Sequence, residues 1–297
     1  MSRILITGAT GFIGRQVIDR LADGDEVLAV GRSPLGDRRI PWRQADLLDL
    51  PAIRAIVADF RPETVVHLGW YAEPGRYLTD PLNTALLYAG ISLFEAALTA
   101  GCRRLVGAGT CAEYDTVAAP MHERGPTAPG TPYAACKLAL HLVGSQLAAQ
   151  AGATWAWGRI FHLYGPGEDR RRLVAAAIAS LLEGRRFACT TGQQLRDFLH
   201  VADVGAAFAH LARSGAAGVF DIASGQPVTV AAVLAEIGAL TGRGDLIGFG
   251  ERPANLWDPP AIWSEARPLR SLGWAPTIPL ATGLEQTIAW WRNGVRE

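Results

Sequence analysis

The sequence lacks a surplus of charge of either sign. Its 297 residues contain 28 Lys and Arg residues and 28 Asp and Glu residues. A chain without net charge has no long-range field that attracts a nucleic-acid backbone or an anionic membrane surface. The composition therefore predicts no nucleic-acid partner and no membrane partner.

Cysteines and long apolar runs are also scarce. The four cysteines form no CxxC or Cys/His pattern: Cys102, Cys111, Cys136 and Cys189. This spacing predicts free thiols, without a disulfide framework or a metal site. No run of about 18 uncharged apolar residues is present. The first apolar run, Ile4–Ile6, is only as long as a strand and ends in glycines, unlike a signal peptide. We therefore expect a cytoplasmic protein.

Short apolar runs alternate with helix-length segments through the first half of the chain. The predicted strands are Ile4–Thr7, Val27–Val30, Val65–Leu68, Leu105–Ala108 and Thr154–Arg159. The predicted helices between them are Phe12–Leu21, Ala52–Asp59, Leu82–Ala100 and Pro132–Gln150. Parallel strands need crossover connections, so this alternation predicts an α/β fold with a Rossmann-type doubly wound parallel sheet.

The pattern changes after Tyr164, where a Gly165-Pro166 turn precedes a predicted helix at Leu173–Glu183. Mixed short elements then lead to a final helix at Leu280–Asn293. We expect a dinucleotide-binding domain over residues 1–164 and a smaller, mixed substrate lobe over residues 165–297. Segments near 195–225 are expected to return to the first domain.

A glycine-rich loop follows the first strand and precedes the first helix. Its glycines allow a tight turn, close approach of a pyrophosphate and close helix–sheet packing. Free N–H groups at the start of the helix favour the phosphate charge. The loop predicts a dinucleotide cofactor, held by Gly8, Thr10, Gly11, Phe12, Ile13 and Gly14.

The end of the second strand predicts which dinucleotide is bound. An acidic residue there would bind the ribose hydroxyls of NAD, whereas arginine accommodates the extra phosphate of NADP. Arg32 and Ser33 occupy this place, so NADP(H) is favoured and NAD(H) stays open. Two further groups of residues are expected near the cofactor. Asp46 and Leu47 would contact the adenine, and Leu68, Gly69 and Trp70 would lie beside the phosphates.

Tyr133 and Lys137 lie four residues apart at the start of a predicted helix and therefore share a face. A free tyrosine has a pKa of about 10. An ammonium about 4 Å away would stabilise the phenolate by roughly 4 kcal/mol at an effective dielectric constant of about 20. We expect this effect to bring the Tyr133 pKa towards neutrality, where a general acid or base works best. Thr110, after the fourth predicted strand, would bind the same substrate oxygen.

Several motifs together resemble the extended short-chain dehydrogenases/reductases that act on nucleotide sugars. They are Gly8/Gly11/Gly14, Thr110 four residues before Tyr114, Tyr133/Lys137, and the runs Arg159–Pro166, Arg196–Asp203 and Leu272–Pro276. The resemblance spans Arg3 to about Trp291. It implies that Phe161 lies by the nicotinamide and that His162 replaces a usual asparagine beside the substrate phosphate.

The same resemblance implies other roles. Arg196 and Arg252 would clamp the nucleotide diphosphate, since guanidinium groups suit bidentate phosphate binding. Asn83 would lie near the active site, and Arg172 would reach the phosphates or stay solvated. The long helices at Leu82–Ala100 and Pro132–Gln150 would pair across a homodimer.

Three reactions share this kind of site. A 4,6-dehydratase carries Asp-Glu directly after its threonine, where this chain has Cys111 and Ala112, so dehydration is disfavoured. A 4-epimerase retains NAD and reduces a ketone intermediate from its other face. A ketoreductase uses the same residues with NADPH. Arg32 favours reduction of an NDP-4-keto-6-deoxyhexose, as does a local likeness to deoxysugar 4-ketoreductases. A non-catalytic dinucleotide-binding regulator is the alternative outside enzymes.

Overall fold

The computed structural model describes residues 2–34, 40–116, 120–253 and 258–294. The strands are β1 Arg3–Thr7, β2 Glu26–Gly31, β3 Trp42–Gln44, β4 Thr64–His67, β5 Arg104–Thr110, β6 Thr154–Ile160, β7 His162–Tyr164, β8 Phe187–Ala188, β9 Leu195–His200, β10 Gly218–Ile222, β11 Pro227–Thr229, β12 Ile247–Gly248 and β13 Ala261–Ile262. The helices are α1 Phe12–Leu21, α2 Leu50–Phe60, α3 Leu82–Thr99, α4 Pro132–Gln150, α5 Leu173–Leu182, α6 Val201–Arg213, α7 Val230–Thr241, α8 Arg267–Ser271 and α9 Leu280–Gly294.

Seven parallel strands form the central sheet in the order β10-β6-β5-β4-β1-β2-β3. Helices α1 and α6 pack on one face, and α2, α3 and α4 pack on the other. Because both faces are covered, β4 and β5 are buried along their whole length, including the polar residues at their ends. The predicted Rossmann-type doubly wound sheet is confirmed.

Element boundaries follow local capping and turn residues. Helices α1 and α4 have the predicted bounds, and α2 begins two residues earlier than predicted because the Asp49 side chain accepts the Ala52 N–H at 3.1 Å. Strand β5 extends two residues beyond the predicted Ala108. Thr110 is therefore the last residue of a central strand, and its side chain lies at the carboxyl edge of the sheet.

A smaller mixed sheet lies after residue 161. Strand β9 pairs with β7, β11 and β13, and β8 pairs with β12. Helices α5, α7 and α9 pack around a separate apolar cluster. Within the segment near 195–225, β9 belongs to the smaller sheet, whereas β10 lies at the edge of the seven-stranded sheet. The division of the chain after residue 164 stays a prediction.

Among the described residues, only α3 is long and apolar enough to cross a membrane. It packs between α2 and α4, and Leu86, Leu93 and Phe94 are buried in the core. Its apolar sequence is accounted for by this packing.

Two stacked tryptophans occupy space that three glycines leave open. The rings of Trp155 and Trp157 have centroids 5.6 Å apart. A Cβ atom at Gly107 would lie 2.4 Å from Trp157 Cζ3, and one at Gly109 would lie 2.2 Å from Trp157 Nε1. A Cβ atom at Gly144 of α4 would lie 2.4 Å from Trp155 Cη2. These glycines let α4 and the tryptophan side chains lie close to the sheet.

Candidate active site

The glycine-rich loop is closely packed between β1, β4 and α1. Gly8 has a φ of +69°, and a Cβ atom there would lie 2.6 Å from Gly69 N. A Cβ atom at Gly14 would lie 2.2 Å from Gly8 O. The first turn of α1 contains no acidic side chain. This backbone cradle and the N–H groups at the start of α1 fit a dinucleotide pyrophosphate.

We expect Gly14→Ala to weaken dinucleotide binding and to lower the free energy of unfolding by about 1–3 kcal/mol, the usual cost of overpacking. The added methyl group would meet backbone atoms of Gly8 and Ala9, which cannot move without changing the loop. Thermal unfolding and cofactor titration measure both effects. Gly215→Ala is the matched control, since a Cβ atom there meets nothing within 4 Å. Equal behaviour of the two variants would contradict the tight fit.

Most of the other predicted cofactor residues directly follow β2, β3 or β4. Arg32 and Ser33 follow β2 and are exposed, and the Gln44 amide donates to the Arg32 carbonyl oxygen at 3.1 Å. Asp46 is exposed and accepts the Leu48 N–H at 3.0 Å. Three predicted residues pack against glycines: Thr10 lies beside Gly31, Leu47 beside Gly69, and Leu68 beside Gly8. Phe12 and Ile13 form the first turn of α1.

Helix α4 carries the candidate catalytic pair. Thr131 caps this helix by accepting the Ala134 N–H at 3.2 Å, and Pro132 is its first residue. Lys137 is 4% exposed, and its Nζ donates to Ala108 O at 2.9 Å. Its Nζ also lies 4.0 Å from the centroid of the Trp70 ring. Burial lowers the pKa of Lys137 to about 7, partly opposed by the carboxylate of Glu113.

The phenol of Tyr133 lies beside Thr110. Burial is the largest influence and raises the Tyr133 pKa above its usual value; the nearby Tyr77 phenol raises it further, and a hydrogen bond from Thr110 lowers it. The sequence-based expectation of a near-neutral Tyr133 pKa is wrong for the protein alone, because burial removes the water that would solvate a phenolate. Thr110 Oγ1 accepts the Ala112 N–H at 3.2 Å, so its hydroxyl can still act as a donor.

Sequence reasoning missed Glu113, a fully buried residue behind Thr110. Its Oε1 accepts the Thr110 N–H at 2.9 Å, and its Oε2 accepts the Arg159 Nε–H at 2.7 Å. Trp157 Nε1 donates to both carboxylate oxygens at 3.1 Å. Burial raises the pKa of Glu113, and Arg159 opposes this rise. A local signal was present, because Thr110 and Glu113 have the spacing of a capping box and form one.

Sequence reasoning also missed Tyr77, which follows β4 in the connection to α3. Its ring meets the Tyr133 ring edge to face, with centroids 4.8 Å apart at 83°. The Trp70 ring also lies edge-on to Tyr133, at 6.4 Å. The Tyr133 N–H donates to Leu78 O at 3.1 Å, so this connection is bound to the start of α4. Loop residues carry no periodic pattern, so no local signal in the sequence predicts this contact.

Three of the predicted substrate residues converge. His162 on β7 has a pKa lowered to about 3, first by burial and then by Arg196 and Arg172. Arg196 is 4% exposed and forms an ion pair with Asp258. The Arg172 guanidinium lies 5.1 Å from the centroid of the Tyr77 ring. These side chains form a basic area beside the candidate catalytic centre, in which the two arginines carry the positive charge and the His162 imidazole is neutral.

The remaining predicted residues are placed differently. Asn83 is fully buried; its side chain accepts from Trp70 Nε1 at 2.9 Å and donates to Tyr77 O at 2.6 Å. It supports the segment that carries Tyr77. Phe161 is buried, and its N–H donates to Ile222 O at 3.2 Å. Arg252 is exposed, and its N–H donates to Cys189 O at 3.0 Å. No contact of its side chain with the basic area is seen in the described residues.

Neither a reactive thiol nor a group of metal ligands is found at the site in the described residues. Burial raises the pKa of Cys111 to about 12, so the thiol stays protonated and is unsuited to nucleophilic attack. Among the residues that the structure describes, no three His, Cys, Asp or Glu side chains are grouped as a metal site would require.

A parallel sheet with a glycine cradle after β1 and a Tyr/Lys pair at its carboxyl edge defines a dinucleotide-binding enzyme fold. The chain belongs to the NAD dependent epimerase/dehydratase family, whose model matches residues 4–223. It is an enzyme family whose members act on nucleotide sugars with a nicotinamide dinucleotide.

Individual relatives span nearly the whole chain. The UDP-glucose 4-epimerase of Mycolicibacterium smegmatis is 30% identical, covering 98% of this chain and 99% of that protein. The GDP-6-deoxy-D-mannose reductase of Pseudomonas aeruginosa is 26% identical, covering 99% of both. Among solved structures, MoeE5 in complex with UDP-glucuronic acid and NAD is 31% identical with a TM-score of 0.87, covering 98% of this chain and 99% of that one. Relatives of this similarity catalyse different reactions.

Proposed function

We propose that the protein reduces the 4-keto group of an NDP-4-keto-6-deoxyhexose with NADPH. The observation that carries this proposal is the placement of Thr110 beside Tyr133 at the carboxyl edge of the sheet, with Lys137 one helical turn after Tyr133 and Arg32 directly after β2. The reductase relative from Pseudomonas aeruginosa is in keeping with it.

The residues present divide the reaction between them. A reduced nicotinamide dinucleotide held by the glycine-rich loop would supply the hydride for this reduction. Tyr133 donates its phenolic proton to the ketone oxygen, which becomes the new hydroxyl group. Thr110 donates a hydrogen bond that steadies the charge on the oxygen and then on the phenolate. Lys137 donates one N–H to Ala108 O, and its remaining N–H groups orient the nicotinamide ribose.

The basic area formed by His162, Arg172 and Arg196 would hold the nucleotide diphosphate. Arg196 is the buried member, and Asp258 is its partner in the free protein. Binding of a diphosphate to Arg196 therefore competes with this carboxylate. Arg252 would complete the clamp from the surface.

A 4-epimerase with tightly bound NAD is the second candidate. Its support is the 30% identity to the epimerase of Mycolicibacterium smegmatis over the full chain. Epimerisation needs the same Tyr133, Lys137 and Thr110. Retained NAD with no preference for NADPH would favour the epimerase over the reductase. A regulator without turnover would bind the dinucleotide and catalyse neither reaction.

Arg32 gives a direct test of cofactor choice. We expect the purified protein to bind NADPH reversibly and more tightly than NADH, and Arg32→Ala to lower the affinity for NADPH by about 10–100-fold. A hydrogen bond to a charged group contributes roughly 1.5–3 kcal/mol, which sets this range. The affinity for NADH should not change.

Fluorescence titration of wild type and Arg32→Ala with both cofactors measures the effect. Arg43→Ala, which alters another exposed arginine near β2, is the control. Equal affinity of the wild type for NADH and NADPH would remove the basis for the NADP preference.

We also propose a homodimer formed through α3 and α4. These two helices pack side by side, and they expose the large side chains Tyr88, Leu142 and Val143. A second copy of the chain would bury them in a helical interface.

A further inference from the structure

Tyr77 lies between the candidate proton donor and the candidate phosphate site. The centroids of the Tyr77 and Tyr133 rings are 4.8 Å apart. The Arg172 guanidinium lies 5.1 Å from the Tyr77 ring centroid. Arg172 in turn is close enough to His162 to lower its pKa. In a nucleotide sugar the hexose connects the diphosphate to the reacting carbon. A hexose that spans from Arg172 to Tyr133 must therefore pass along Tyr77.

Tyr77 is held in this place by its own segment. The Tyr77 carbonyl oxygen accepts the Asn83 amide at 2.6 Å, and the next carbonyl, of Leu78, accepts the Tyr133 N–H at 3.1 Å. On the other side, Arg172 donates to Ala72 O at 2.9 Å. The backbone around Tyr77 is thus fixed to both α4 and the segment before α5. Its half-buried ring forms a wall with little freedom to move aside.

A fixed wall separates the two reactions that this site supports. An epimerase must let its ketone intermediate rotate within the site, so that the hydride returns to the opposite face of the sugar ring. A reductase needs only one orientation of the ketone. An aromatic ring beside the reacting carbon hinders rotation of the hexose and packs against its C–H groups.

We propose that Tyr77 is a specificity-determining residue of the hexose subsite, which holds the 4-ketose in one orientation and so restricts reduction to one face. This inference deepens the proposed reductase function and rests on it. The hydride and the proton are those of the reaction already described, and Tyr77 transfers neither.

The stereochemical test uses dTDP-4-keto-6-deoxyglucose and NADPH with the wild type, Tyr77→Ser and Tyr77→Phe. The ratio of the two products that differ at C4 is measured by NMR. We expect a single product from the wild type and from Tyr77→Phe, which keeps the ring. Tyr77→Ser should increase the fraction of the second product by about tenfold or more and raise KM more than it lowers kcat. A single product with unchanged KM from Tyr77→Ser overturns the inference.

A binding test separates this inference from the reductase proposal. By calorimetry, Tyr77→Ser should lose about tenfold in affinity for dTDP-glucose and keep its affinity for dTDP, which has no hexose. Tyr71→Ser is the control, because this tyrosine belongs to the same segment but bonds to Glu73. If the wild type turns over no 4-ketose, the reductase proposal fails, and the affinities still decide the role of Tyr77. If Tyr77→Ser loses the same affinity for dTDP as for dTDP-glucose, or loses affinity for neither, the proposed role of Tyr77 is overturned.

Discussion

Replacing Tyr133 by phenylalanine should lower turnover by about three orders of magnitude and leave dinucleotide affinity unchanged. Removing a positioned general acid typically costs 10²–10⁴ in rate. The phenylalanine ring preserves the edge-to-face contacts with Trp70 and Tyr77. The fold should therefore be unaffected.

Steady-state kinetics with the proposed 4-keto sugar substrate measure turnover, and cofactor titration measures dinucleotide affinity. Tyr88→Phe removes a hydroxyl group from an exposed tyrosine on α3 and should behave as the wild type. Turnover by Tyr133→Phe within tenfold of the wild type would show that another group protonates the substrate. Loss of dinucleotide binding would instead indicate that the phenol contributes to the cofactor site.

Glu113→Leu should lower the free energy of unfolding by about 3–5 kcal/mol, a large part of the 5–15 kcal/mol typical of a folded protein. The substitution leaves the Arg159 guanidinium, 3% exposed, without its carboxylate. It also leaves the Thr110 N–H and Trp157 Nε1 without their acceptor. Because Thr110 loses the bond that fixes its backbone, activity should fall along with stability.

Urea unfolding of a small set of variants tests this cost. Glu265→Leu breaks an exposed ion pair with Arg267 and should change stability by less than about 1 kcal/mol. The double variant Glu113→Leu/Arg159→Met removes both charges and should be more stable than Glu113→Leu alone. A double variant no more stable than the single one would mean that the unpaired charge of Arg159 is not the source of the loss.

The fold and the centre of the candidate site could be predicted because their signals are local. The glycine loop, the alternation of strands and helices, and the four-residue spacing of Tyr133 and Lys137 all lie within short stretches of chain. Capping residues such as Thr131 made the bounds of α4 predictable. The roles proposed for these residues are tested by the substitutions of Gly14, Arg32 and Tyr133.

The rest of the site depends on contacts between distant parts of the chain. Tyr77 and Tyr133 are 56 positions apart, and a loop residue gives no period that would bring them together. The pairing of Arg196 with Asp258 joins residues 62 positions apart. The pKa of Tyr133 also depends on burial, which spacing does not reveal. The sequence indicated which groups are present, while tertiary packing decided their neighbours and their protonation.

The glycines beneath the stacked tryptophans make certain positions of this chain interdependent in evolution. A methyl group at Gly107 or Gly109 would meet the Trp157 indole, so we expect either change alone to be destabilising. A smaller residue at position 157 would open room for it, but would also remove the Nε1 donor to Glu113. Substitutions at 107, 109, 113 and 157 should therefore be inherited as a group. Descendants that change one of them should carry a compensating change at another, a signature that a directed-evolution lineage would display as epistasis.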